Sequence, residues 1–183
     1  MLKFSAEVKD HTLKRLEGHR SGRTTRAVTR VETWMVEDYF SKGEVRGHTI
    51  ECDEPLERGG SDRGPAPLEY FLAALAFCQQ SFLANNAALL GLSLDSVRMR
   101  VKGYFDPRGG QVEGITNRGF DEIRSEILIE SSEPVNRIVQ AVELAERQCY
   151  LLNTVCRSTR IDESVFLNGD LIRRKEFQPA NTA

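Results

Sequence analysis

Apolar and polar residues alternate through residues 25–36, where Val28, Val31 and Val36 stand with Trp34 and Met35. That period of two, in a β-branched stretch, predicts a strand. Residues 43–52 repeat the pattern more weakly. Ser41-Lys42-Gly43 supplies turn residues between the two runs, so a hairpin is expected there. Pro55, Pro65 and Pro67 with Gly59, Gly60 and Gly64 then exclude regular structure over residues 53–67. From Pro67 to Leu90 the period becomes helical. Pro67 suits a first helical turn, Glu69 lies near the positive helix end, and Gly91 is the stop. One face of this helix carries Phe71, Leu75, Cys78 and Phe82, and the other Leu72, Ala76, Leu83, Ala87 and Leu90. A helix apolar all round has to be enclosed by other structure.

Beyond it, Val97, Met99 and Val101 alternate with Arg98, Arg100 and Lys102, and Asp106-Pro107-Arg108-Gly109-Gly110 turns the chain. Ile123, Ile127 and Ile129 mark another strand within residues 120–130. Ser131-Ser132-Glu133-Pro134 is a helix start signal, and Val135, Ile138, Val139, Val142 and Ala145 follow at helical spacing up to Gln148. A closing strand runs through residues 160–172 with a turn at Asn168-Gly169-Asp170, and residues 178–183 form a loose tail. The first third thus reads mainly as strands, and strands come in groups rather than alternating singly with helices. The fold class expected is α+β with antiparallel sheet, not a doubly wound parallel sheet.

A length of 183 residues fits one domain spanning 1–183, and 40% hydrophobic residues suffice for a core. The net charge of -2 argues against a nucleic-acid partner. The local exception is the run Arg15, Arg20, Arg23, Arg26, Arg30, which reads as a solvated surface, an anion contact or a dimer interface. The first residues hold no apolar run that could serve as a signal peptide. The longest apolar segment, 70–92, is broken by Gln79, Gln80, Asn85 and Asn86, as a core helix is and a membrane span is not. No membrane partner is expected, and the chain is placed in the cytosol. Four cysteines there are free or catalytic rather than a disulfide framework.

Chemistry concentrates on the thiols. Cys78 lies within the apolar helix and Cys149 ends the second one; a buried helical thiol with a distant thiol to meet it is the pattern of a redox enzyme. The bland alternative for each is a small core residue. Cys52 reads as structural or exposed. Cys156, two helical turns beyond Cys149, could stand in for it if the helix continues. His11, His19 and His48 show no metal spacing and the cysteines form no Cys-x-x-Cys pair, so no metal is expected. The glycine loops match neither a P-loop nor a dinucleotide fingerprint, so no cofactor is expected either, and no Gly-x-Ser-x-Gly marks a serine hydrolase.

Five segments in order carry a resemblance: Gly59-Gly60-Ser61-Asp62-Arg63-Gly64-Pro65-Ala66-Pro67-Leu68-Glu69; Ala73-Ala74-Leu75-Ala76-Phe77-Cys78; residues 97–106; Gly119-Phe120-Asp121-Glu122-Ile123; and residues 145–154, which include Cys149. Over roughly residues 20–170 the chain resembles the OsmC/Ohr family of thiol peroxidases. The resemblance implies an intertwined homodimer, with sheets of both subunits around paired central helices and active sites at the interface. It implies a peroxidatic role for Cys78, a resolving role for Cys149, and an assisting arginine and glutamate. The arginine comes from the N-terminal region, where Arg20, Arg23 and Arg26 are available and Arg23, in a Ser-Gly-Arg loop, is favoured; the glutamate is Glu69. The substrate implied is an organic hydroperoxide, suited by Phe71, Phe77 or Phe82, and the electron donor a thiol or dithiol reductant. Two departures stand out: Leu68 separates Pro67 from Glu69, which turns the acid by about 100° on a helix, and Tyr150 rather than proline follows Cys149. The competing readings are a non-catalytic dimeric protein binding a small ligand on the same scaffold, and an unrelated thiol-based transfer or hydrolytic enzyme.

Overall fold

Helix α2 (Pro67–Leu90) is the axis on which the rest is arranged. In the computed structural model, which describes residues 2, 6–22, 26–115, 118–157 and 159–178, the other elements follow in chain order. They are α1 (Ala6–Arg20), β1 (Glu32–Glu37), β2 (Phe40–Val45), β3 (His48–Cys52), then after α2, β4 (Ser96–Tyr104), β5 (Glu122–Glu130), α3 (Val135–Gln148), α4 (Tyr150–Val155), β6 (Ile161–Leu167) and β7 (Asp170–Phe177). Every strand pairing is antiparallel, and mixed helix with grouped strands is the α+β class expected from the pattern.

Pro67 opens α2 as its first residue, and Gly91 ends it in the left-handed region (φ 66°) while its N–H closes on Ala87 and Ala88 carbonyls. Leu75, Gln79, Leu83, Asn86 and Ala87 are its buried stripe. Against that stripe lies α3, contributing Ala141 and Ala145; with Leu92 and Leu94 they form the core, flanked by Val97, Ile127 and Ile129 of the β4–β5 hairpin. Ala87 and Ala141 are almost wholly buried. Their small side chains let the two helices approach closely, which is what the many alanines of α2 provide. On α3 the inward positions are Ile138, Ala141, Val142 and Ala145, whereas Val135 and Val139, expected in the core, are exposed.

The segment ahead of α2 is held by a buried carboxylate. Asp53 accepts backbone N–H groups from Glu54 (2.9 Å), Ser61 (3.1 Å) and Arg63 (3.2 Å), which folds residues 53–67 back on themselves. The fold-back needs Gly60, because a Cβ there would stand 1.8 Å from the Glu54 carbonyl oxygen.

Three sequence expectations are corrected. First, residues 6–20 form a helix in what reads as strand territory. α1 is polar nearly all round, with Thr12 its buried residue, so no apolar stripe announces it; helix-favouring Ala, Glu, Lys, Leu and Arg carry it instead. Second, Ser41-Lys42-Gly43 is not a turn but lies within β2, which is the middle strand of a β1-β2-β3 meander. The turns fall at Asp38-Tyr39 and Arg46-Gly47; the latter has φ 52° and 79°, the left-handed pair a two-residue hairpin requires. Gly43 is in the strand because it is crowded, with Ile50 Cγ1 2.9 Å from the place a Cβ would take. Third, the closing strand is a hairpin of two, β6 and β7, turning at Asn168-Gly169 as expected; the strand expected over 25–36 begins only at Glu32. Of the tail, residues 179–183 lie outside the described residues.

Enclosure of α2 is one-sided within the protomer. Phe71 (45% exposed) and Phe77 (65%) face outward, as do all residues of β6 and β7 except the half-buried Val165.

Candidate functional site

Two cysteines distant in sequence interact where α2 passes the α3–α4 junction. Cys78 is a half-buried residue of α2, one turn before Phe82. Cys149 is the single residue between α3 and α4, where its extended backbone (φ -68°, ψ 112°) breaks one helix and starts the next. It is fully buried. As N-cap of α4 its sulfur accepts the Leu152 N–H at 3.4 Å, and Asn153 Nδ2 donates to its carbonyl at 2.8 Å. Burial pushes the Cys149 thiol above its ordinary value of 9.0; the neighbouring Cys78 side chain adds to the rise, while the Leu152 N–H opposes it. At neutral pH Cys149 is therefore a thiol facing Cys78.

A buried amide fixes this junction to α2. Asn86 (2% exposed) donates from Nδ2 both to the Phe82 carbonyl at 2.8 Å and to Gln148 Oε1 at 3.0 Å. Gln148 is the residue before Cys149, so the pair ties the Cys149 backbone to the helix that bears Cys78. Sequence reading used Asn86 only as an interruption of an apolar run; a polar residue in the buried stripe of such a helix is itself the signal of a required partner.

An open cleft of about 680 Å³ adjoins Cys149, lined by residues of α1, α2, α3 and α4 and of the segment after α4. Phe82 and Tyr150 form part of its wall, their rings edge-to-face at 5.4 Å. Tyr150, noted as a departure because proline was expected there, thus contributes an aromatic surface.

The other expected site residues fall as follows. Arg23 lies outside the described residues. Glu69 sits at the third position of α2, about 13.5 Å of helix rise before Cys78, and its Oε2 accepts the Ala66 N–H at 2.9 Å. The carboxylate thus satisfies a free donor at the helix start. Cys156 ends α4 as an exposed residue. Burial raises the Cys52 thiol, with Glu54 and Asp53 adding to it. Of the three phenylalanines, Phe82 reaches the cleft, Phe71 packs on Phe120 at 5.9 Å, and Phe77 is exposed. Among the described residues no helix is long and apolar enough to cross a membrane.

Comparison with known proteins identifies the fold and the family. Residues 59–164 match the family model described as OsmC-like protein. No curated protein matches the chain. Among solved structures, an OsmC-like protein from Mycoplasma pneumoniae aligns with a TM-score of 0.63 at 19% identity, covering 72% of this chain and 89% of that one. An organic hydroperoxide resistance protein OsmC from Legionella pneumophila aligns at 0.51 with 20% identity, covering 72% and 91%. A Vibrio cholerae protein assigned to organic hydroperoxide resistance, holding captopril in one of its active sites, aligns at 0.52 with 17% identity, covering 72% and 88%. At such identities the likeness is one of fold. With the family model spanning more than half of its length, the chain belongs to the OsmC-like protein family.

Proposed function

We propose that the chain is a thiol-dependent peroxidase that reduces organic hydroperoxides, with Cys78 the attacking sulfur and Cys149 the resolving one. The observation that carries this reading is the interaction of two thiols, the half-buried Cys78 and the buried, protonated Cys149, the second of which lines a cleft with an aromatic wall. In the first step the Cys78 thiolate attacks the outer oxygen of the hydroperoxide. The S–O bond forms, the O–O bond breaks, and the alcohol leaves with a proton. In the second, Cys149 attacks the Cys78 sulfenic acid; an S–S bond forms, the S–O bond breaks, and the Cys149 proton departs in the water released. The two electrons that reduced the peroxide have come from the two sulfurs, and an external thiol or dithiol returns them. Arg23 enters the reading as the guanidinium that steadies the thiolate. Glu69 is a helix cap and is given no chemical step. The Legionella and Vibrio proteins of the same fold are named for organic hydroperoxide resistance, which supports the substrate class.

The working form in this reading is a dimer. The protomer exposes 14047 Å², whereas a compact monomer of 20.7 kDa exposes about 8,900 Å². An obligate partner covering its apolar faces would remove part of this excess of roughly 5,000 Å². The exposed Phe77 of α2 and the uncovered β6–β7 hairpin are those faces.

The test is consumption of cumene hydroperoxide in the presence of a dithiol by wild type, Cys78→Ser and Cys149→Ser. Cys78→Ser is expected to lose turnover, and Cys149→Ser to accumulate a sulfenic acid on Cys78 visible by mass spectrometry. Equal consumption by wild type and Cys78→Ser overturns the proposal; a ligand retained in native mass spectrometry, with no thiol reactivity, favours binding without turnover.

A further inference from the structure

The cleft beside Cys149 carries a second feature that peroxide chemistry does not use. We infer that it is a binding site for an organic anion, held at its charged end by Arg15, Arg147 and Arg157 and along its body by Leu16, Phe82 and Tyr150.

The argument begins with charge. Three guanidiniums line one cleft, joined by His19, and no aspartate or glutamate lines it among the described residues. This is a local excess, since the whole chain holds 27 acids against 25 basic residues. Arg15 comes from α1, Arg147 from α3 and Arg157 from beyond α4, so the convergence is made by the tertiary structure and not by the repeat of one helix. Elsewhere on the surface, Arg58, Arg108, Arg124 and Arg137 each hold a carboxylate within 3.2 Å. In the cleft, Arg147 reaches Glu143 only at 3.9 Å, and Arg15 and Arg157 have no ion pair among the described residues. A guanidinium cannot shed its proton, so an anion is what relieves such an arrangement. Arginine forks recognise the planar oxygens of carboxylates and phosphates in particular.

Shape and polarity then define the body of the ligand. A cleft of about 680 Å³ is within the usual range for small organic ligands and far exceeds one oxyanion. Its uncharged wall is the side chain of Leu16 with the Phe82–Tyr150 edge-to-face pair, which suits an apolar or aromatic portion. The α1 wall is fixed in place: the buried Thr12 hydroxyl lies 2.7 Å from the Val8 carbonyl and 3.2 Å from Asn85 Oδ1 of α2. The inference goes beyond the peroxidase reading and does not depend on turnover by Cys78.

Calorimetric titration of the reduced full-length protein tests it, with phenyl phosphate, phenylacetate, inorganic phosphate and benzyl alcohol as probes. Phenyl phosphate or phenylacetate is expected to bind one per chain, about tenfold or more tighter than inorganic phosphate or benzyl alcohol. The tighter of the two organic anions names the headgroup. Added salt should weaken the interaction. The double variant Arg15→Gln, Arg157→Gln should lose about tenfold or more in affinity, and Arg15→Lys, Arg157→Lys should recover part of it. Both residues are exposed, and an unchanged melting temperature shows that the fold is kept. Equal binding of benzyl alcohol, equal binding of inorganic phosphate, full affinity in the glutamine variant, or no binding of either organic anion overturns the inference. None of these results bears on whether Cys78→Ser loses peroxidase activity.

Discussion

Replacing Asn86 by alanine should uncouple the Cys149 backbone from α2. The amide makes two hydrogen bonds, 2.8 Å to the Phe82 carbonyl and 3.0 Å to Gln148 Oε1, from a site only 2% exposed. A net hydrogen bond is worth about 1 kcal/mol, and a buried group left without its partner costs about 1–3 kcal/mol. Phe82 is itself a helical residue whose carbonyl has a backbone donor to fall back on, and Gln148 is half-buried and can turn to water. The expected loss is therefore about 2 kcal/mol, not the sum of two full desolvation penalties. The shared part is measurable by a double-mutant cycle with Gln148→Ala, read by urea unfolding under reducing conditions at one protein concentration. We expect a coupling of about 1 kcal/mol between the two sites. Because Gln148 adjoins Cys149, the same variants should also slow the loss of the two thiols when a hydroperoxide is added. Additive effects within about 0.3 kcal/mol, together with wild-type thiol loss, would refute the reasoning that this amide pair positions the junction.

Two further outcomes follow from the same geometry. Cys149 has a folded-state pKa above its ordinary 9.0, so the unfolded chain releases this proton first as pH rises; its contribution to stability is intact below pH 9.0 and is lost above it. The stability of wild type minus that of Cys149→Ser should be flat below pH 9.0 and decline beyond, and a flat difference well into the alkaline range would contradict the burial argument. Phe77, 65% exposed on α2, should tolerate replacement by glutamate within the chain yet shift the proposed dimer toward monomer in sedimentation. An unaltered dimer would remove Phe77 from the interface.

Much of the fold was legible because its signals are local. Pro67 and Gly91 bracket α2, and Val97, Met99, Ile127 and Ile129 alternate on paired strands. The helix α1 was not legible, since a polar helix leaves no periodic trace and its anchor is one threonine against Asn85. The Ser41-Lys42-Gly43 turn was misplaced because composition alone cannot tell a strand glycine, crowded by Ile50 and Thr33, from one that bends the chain. For the site, the cysteines were visible as residues, but their contact is a tertiary fact. Tyr150 looked like a defect relative to the expected proline, and only its packing on Phe82 gives it a purpose. Glu69 illustrates the reverse: a residue expected at the chemistry is spent on Ala66 N–H at the helix start.

In the dimer proposed above, the uncovered β6–β7 ribbon makes dilution a form of denaturation. A two-stranded ribbon is marginal by itself in water, and this one presents Ile161, Phe166, Leu167 and Ile172, each more than half exposed. Below the concentration at which copies find each other, the chain forfeits the order of its own last strands along with its neighbour. What remains then offers sticky, unpaired edges to any other polypeptide. Variants that fail to associate should therefore be lost as precipitate more readily than as catalytically silent but soluble protein.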